Sequence, residues 1–157
     1  MTPRPVRRLD MRFPQNHAAI ARNIKKLLQL PLEDLYASVA PKEFKVSAKR
    51  RGGSLPAGAK KSSASIKYLA SHGKSFFDGI TCSLYELICV QWKCCEKLTQ
   101  PRYQDPVVLI ATIADIISQA HLGLPCVNIA VLLFKLGLSK FCGCNKKNEA
   151  CNACSSK

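Results

Sequence analysis

The stretch Val107–Leu138, VVLIATIADIISQAHLGLPCVNIAVLLFKLGL, decides how this chain must fold. Apart from the thiol of Cys126, its ionisable side chains are Asp115, His121 and Lys135 alone. The apolar run is broken near its middle by Gly123-Leu124-Pro125. Just upstream, Asp105-Pro106 is a helix start: a carboxylate accepts from the first free amides, and proline suits the first helical position, where no N–H is required. Pro125 offers a second start. The spacing predicts a helical hairpin with arms Pro106–Ala120 and Pro125–Phe141, stopped by Gly143. Each arm keeps one narrow polar stripe, Thr112, Asp115 and Gln119 on the first and Asn128, Lys135 and Ser139 on the second.

So much apolar surface must be hidden in a core or in a bilayer. Arms of roughly 14–16 residues are about 21–24 Å long, whereas a bilayer core is about 30 Å thick. A carboxylate such as Asp115 at a bilayer centre costs about 2.5–3.5 kcal/mol even on a lenient scale. The expectation is a buried hairpin in a bundle, with Asp115 and Lys135 near its surface. A membrane-inserted hairpin spanning 107–138 is the alternative.

Upstream, Ser65–Leu98 has helical periodicity. Phe77, Ile80, Leu84, Leu87 and Ile88 form one apolar stripe, and Cys82, Tyr85, Cys89 and Trp92 share a neighbouring face. Thiols on such a face are expected to behave as small core hydrophobes. Thr99–Asp105 reads as a loop. Further upstream, Asn16 predicts the cap of a basic amphipathic helix over His17–Leu30, ended by Pro31, and Leu32–Val39 predicts a short second helix closed by Pro41. The expected fold is therefore all-α, a small helical bundle built on the C-terminal apolar hairpin. Its expected segments are a disordered basic tail (1–14), short amphipathic helices (15–41), a basic flexible linker (42–65), a helical domain (66–141, hairpin 106–141) and a Cys-rich tail (142–157).

Charge is distributed unevenly along the chain. The 157 residues carry a formal net charge of +14, and residues 42–67 hold eight basic side chains against one acidic, net +7. Half of the excess thus sits in a Gly-, Ser- and Lys-rich stretch with little to bury. Lys49, Arg50, Arg51, Lys60 and Lys61 are its candidate contacts to an anionic partner, a nucleic acid or an acidic lipid surface. The hairpin is the candidate surface for a protein partner or self-association. No small-molecule substrate is indicated.

The nine cysteines end in Cys142-Gly-Cys144 and Cys151-Asn-Ala-Cys154. Four soft thiolates suffice for tetrahedral zinc, so these four are the candidate metal ligands, although C-x-C is tighter than the usual zinc spacing. Without an apolar leader at the N-terminus, disulfides are not expected and a cytoplasmic location is, with membrane association as the alternative. Gly73-Lys74-Ser75 is not a P-loop, because Tyr68 stands where the motif needs glycine and no strand precedes it. His17, His72 and His121 have no orienting partner in a triad-like pattern, so a non-enzymatic binding or adaptor protein is expected.

Overall fold

The computed structural model describes residues 14–43, 63–120 and 123–144, and all regular structure among them is helical. In chain order the helices are α1 (Pro14–Gln29), α2 (Leu32–Val39), α3 (Ser63–Tyr85), α4 (Cys94–Lys97), α5 (Pro106–Gln119), α6 (Cys126–Leu136) and α7 (Leu138–Phe141). A π-helical segment, Glu86–Gln91, continues α3, and a 3₁₀ turn, Pro101–Gln104, precedes α5.

The hairpin is α5 packed on α6, and it sits at the centre. On α5 the buried residues are Leu109, Ile110, Ile113, Ala114 and Ile117, one face of a helix, while Asp115, Ser118 and Gln119 are exposed. Asp105 caps α5 by accepting from the Val107 amide at 2.8 Å, with Pro106 in the first turn. The second arm differs from expectation. Five successive residues of α6, Ile129–Leu133, have no exposed surface, so neighbours must cover it all round. Those neighbours are α5, α1, α2 and α7. The arm is also broken: α6 ends at Leu136, and Gly137 (φ 91°) turns the chain into the one-turn α7. A positive φ is open to glycine and strains other residues, which the apolar periodicity alone does not signal.

The polar stripe of α6 does not face water throughout. Asn128 donates to the Ser38 hydroxyl at 2.8 Å, which in turn donates to the Leu35 carbonyl at 2.6 Å, tying α6 to α2. Two turns later the half-buried Lys135 ammonium donates to the Leu30 carbonyl at the end of α1. A cation there meets the negative end of the helix and one of its unpaired carbonyls. Asp115 is exposed as expected, whereas Lys135 is committed to the α1 terminus.

The α1 helix begins at Pro14, ahead of the expected Asn16 cap, and lays Ile24 and Leu27 into the core. The α2 helix has the expected bounds and buries Leu35 and Val39. The main neighbour of α3 is α2. Their crossing is set by Gly73, which is buried against the Tyr36 backbone so closely that a β-carbon would overlap the Tyr36 carbonyl. The Tyr36 ring then meets Phe77 edge-on at 6.1 Å. One apolar cluster draws on residues from α1 through the turn after α7, so the N-terminal helices share a core with the hairpin. Residues 44–62, which include most of the expected linker, lie outside the described residues, as do 145–157 of the tail.

Two glycines on α3 should respond in opposite ways. Gly73→Ala forces two backbones apart and should lower stability by about 1–3 kcal/mol. Gly79 has open space around its α-carbon, so Gly79→Ala should raise stability by about 0.5–1 kcal/mol through helix propensity. Urea midpoints measure both, and a tolerated Gly73→Ala would rule out the close α2–α3 crossing.

Candidate functional site

The end of α3 combines an irregular backbone with clustered sulfur. In a regular α-helix Cys89 and Cys95, six residues apart, would point about 120° away from each other around the axis. The chain does not stay regular. The Trp92 amide donates to the Leu87 carbonyl at 3.1 Å, a five-residue spacing that inserts an extra residue into the turn. Lys93 then adopts a left-handed conformation (φ 55°, ψ 55°), the one positive φ outside glycine among the described residues. These two departures re-aim the chain before α4.

Both re-aimed cysteines meet the C-terminal segment. Cys89 is bonded to Cys142 and Cys95 to Cys144, with Cα–Cα separations of 5.3 Å in each. The bridges span 53 and 49 residues. On a chain-entropy account, a loop of that length is worth about 4 kcal/mol for the first bridge. The second adds less, because the first already closes nearly the same loop. Together they clamp the π segment and α4 to the far end of the hairpin, which no run of apolar residues in α4 does.

The thiol face therefore departs from the expected small hydrophobes. Cys89 is a bridge, and Cys82, one helical heptad earlier on the same face, is disulfide-bonded as well. Cys94 does behave as a core residue: it is a fully buried free thiol whose pKa burial pushes up to about 11. At neutral pH roughly one such thiol in ten thousand is a thiolate, so Cys94 is a poor nucleophile toward the adjacent Cys95 bridge. The other free thiol, Cys126, is half-buried, donates to the Leu124 carbonyl at 3.1 Å and is also raised by burial.

Aromatic rings enclose this end of the bundle. Tyr103, on the expected loop, is buried and meets Trp92 edge-to-face at 5.4 Å. The Arg102 guanidinium lies 5.6 Å from the Tyr103 ring centre, within cation–π range. Tyr85 tilts against Phe141 at 6.2 Å, on the side where Cys142 follows.

The expected metal ligands are not gathered as four thiolates. Cys142 and Cys144 are consumed by the bridges to Cys89 and Cys95, and disulfide sulfur is not the thiolate ligand that zinc requires. Cys151 and Cys154 lie outside the described residues. Among the described residues no group of three or more His, Cys, Asp or Glu side chains is placed to hold a metal. The basic candidates Lys49, Arg50, Arg51, Lys60 and Lys61 also lie outside the described residues. His72 packs edge-on against Tyr68 at 4.6 Å.

The bridges had a faint signal in the sequence. Cys82 and Cys89 repeat at a heptad, and a C-x-C pair follows the hairpin that returns to them. The re-aiming of Cys95 had none, because it depends on a π turn and a left-handed lysine.

Burial of the Cys94 thiol makes its loss of a proton unfavourable in the folded state. Its folded pKa of about 11 lies above its ordinary value of 9.0. The stability tied to the neutral thiol is whole below pH 9.0 and is lost as pH rises towards about 11. Denaturant midpoints taken across that range should converge for wild type and Cys94→Ala. A constant difference between them would contradict the assignment. Compared with known proteins, the chain matches no family model, no characterised protein and no solved structure.

Proposed function

We propose that this chain is a non-enzymatic binding protein: a disulfide-closed helical body whose basic segments hold a nucleic acid. The observation that carries this reading is the segregation of charge, with net +7 placed in residues 42–67, which run from just beyond α2 into the start of α3. Each lysine or arginine there can displace a condensed counterion from a phosphate chain without reading its sequence. The body supports the reading by using its own apolar surface internally. Central placement of α6 leaves the hairpin little to offer a bilayer unless the bundle opens, and among the described residues no helix is long and apolar enough to cross a membrane. Closed disulfides persist in oxidising surroundings and are reduced in a typical cytosol. They support an oxidising setting for the working form, in place of the cytoplasmic location expected from the N-terminal composition.

The test is anisotropy of a fluorescent mixed-sequence DNA duplex titrated with the oxidised full chain over a range of salt. Five phosphate contacts from Lys49, Arg50, Arg51, Lys60 and Lys61 would give a slope of log K against log salt of about −4.5. Replacing all five by glutamine should remove most of that slope. Absence of binding at low salt rules the proposal out.

A further inference from the structure

We propose that the exposed face of α1, formed by Arg22, Lys25 and Lys26, is a second phosphate-backbone contact, on the folded body itself and separate from the linker. This inference rests on the nucleic-acid reading above and extends it to a surface of defined geometry.

The residues stand at i, i+3 and i+4, so they share one side of the helix. All three are exposed. The α1 sequence, PQNHAAIARNIKKLLQ, contains no acidic residue to neutralise them. Among the described residues none of the three is joined to a carboxylate in an ion pair. The Arg22 Nε atom is held to its own helix by a 3.3 Å bond to the Ala18 carbonyl, which fixes the direction of the guanidinium and leaves its two terminal nitrogens for a ligand. Asn23 and Gln29, also exposed, add neutral donors along the same helix.

The opposite side of α1 decides between partners. A helix that binds a lipid surface uses a basic face to approach and an apolar face to insert. Here the apolar side is occupied: Ile24 and Leu27 are buried and Ile20 and Leu28 pack on the same core. Lys135 of α6 further holds the end of this helix through the Leu30 carbonyl. The face left outward carries Arg22, Lys25 and Lys26 and, among its apolar residues, only the small Ala18 and Ala19 are exposed. Such a face suits a hydrated phosphate polymer, which is bound by cations alone, better than it suits a membrane. The chain preceding α1 continues the same sign, with Arg4, Arg7, Arg8 and Arg12 against Asp10.

The test compares the oxidised full-length wild type with Arg22→Gln/Lys25→Gln/Lys26→Gln, using the same DNA duplex and, in parallel, vesicles of mixed neutral and anionic phospholipid. Exposed glutamines preserve helix propensity, and far-UV circular dichroism with a thermal melt verifies the fold. The charge-keeping variant Arg22→Lys/Lys25→Arg/Lys26→Arg is the second check. Loss of three phosphate contacts should reduce the magnitude of the salt slope by about 2–3, with affinity falling similarly for unrelated duplex sequences. The charge-keeping variant should retain the wild-type slope.

Three results would overturn the proposal. If wild type binds duplex and the triple glutamine variant keeps its affinity and slope, α1 is not a contact and the linker reading stands alone. If the triple variant loses vesicle binding but not duplex binding, the face belongs to a lipid surface. If wild type binds no duplex at low salt, this proposal and the reading beneath it fall together.

Discussion

Everything in this bundle depends on hiding α6. A helix whose residues 129 to 133 are all without exposed surface cannot sit at an edge, because every direction around its axis needs a neighbour. Its partner arm α5 covers one side and presents a single apolar face to it. The remaining directions are filled by α1, α2 and α7. Burial at this level is the main favourable term in folding, at about 25 cal/mol per Å² of apolar surface. The N-terminal helices are thus part of the core, although some 23 residues separate α2 from α3 in the chain.

Polar groups decide how those helices dock. Apolar packing is tolerant of small shifts, but a buried or half-buried polar atom needs a partner in a fixed place. Asn128 and Lys135 lie two turns apart on α6 and supply two such fixed points, one on α2 and one at the end of α1. The chain between them, Leu30–Ser38, is therefore held at both ends. At the other end of the molecule covalent bonds add to the apolar contacts of Ile88, Trp92, Tyr103 and Leu138. The bridges from Cys89 and Cys95 fasten the segment that carries the π turn and the left-handed Lys93.

Much of the fold was legible in the sequence wherever one residue type has one dominant physical use. Asp105-Pro106 announced the start of α5, and Leu32–Val39 announced α2 between its two prolines. The apolar periodicity of Val107–Leu138 gave the hairpin and the all-α class. What stayed hidden depends on neighbours that no local pattern names. Gly73 looks like a flaw in a helical run until the Tyr36 backbone is beside it. The α6 polar stripe looks solvent-facing until α1 and α2 arrive. Cys142 and Cys144 look like metal ligands until Cys89 and Cys95 are brought to them. The basic candidates at 49–61 were legible as charge, and their geometry lies beyond the described residues.

The functional proposals divide the molecule into a body that satisfies itself and charges that do not. Apolar surface, helix ends and most described thiols find partners within the fold. The cations of α1 find no carboxylate among the described residues, and those of the linker are too many for the single acid among them. That division holds only if α6 is the enclosed centre of a water-exposed bundle. Native-state hydrogen exchange of the oxidised chain measures this directly. The amides of Ile129–Leu133 should be the slowest in the protein and exchange only through global unfolding, with α4 and α7 opening earlier. Exchange at Ile129–Leu133 as fast as at α4 or α7 would contradict the account.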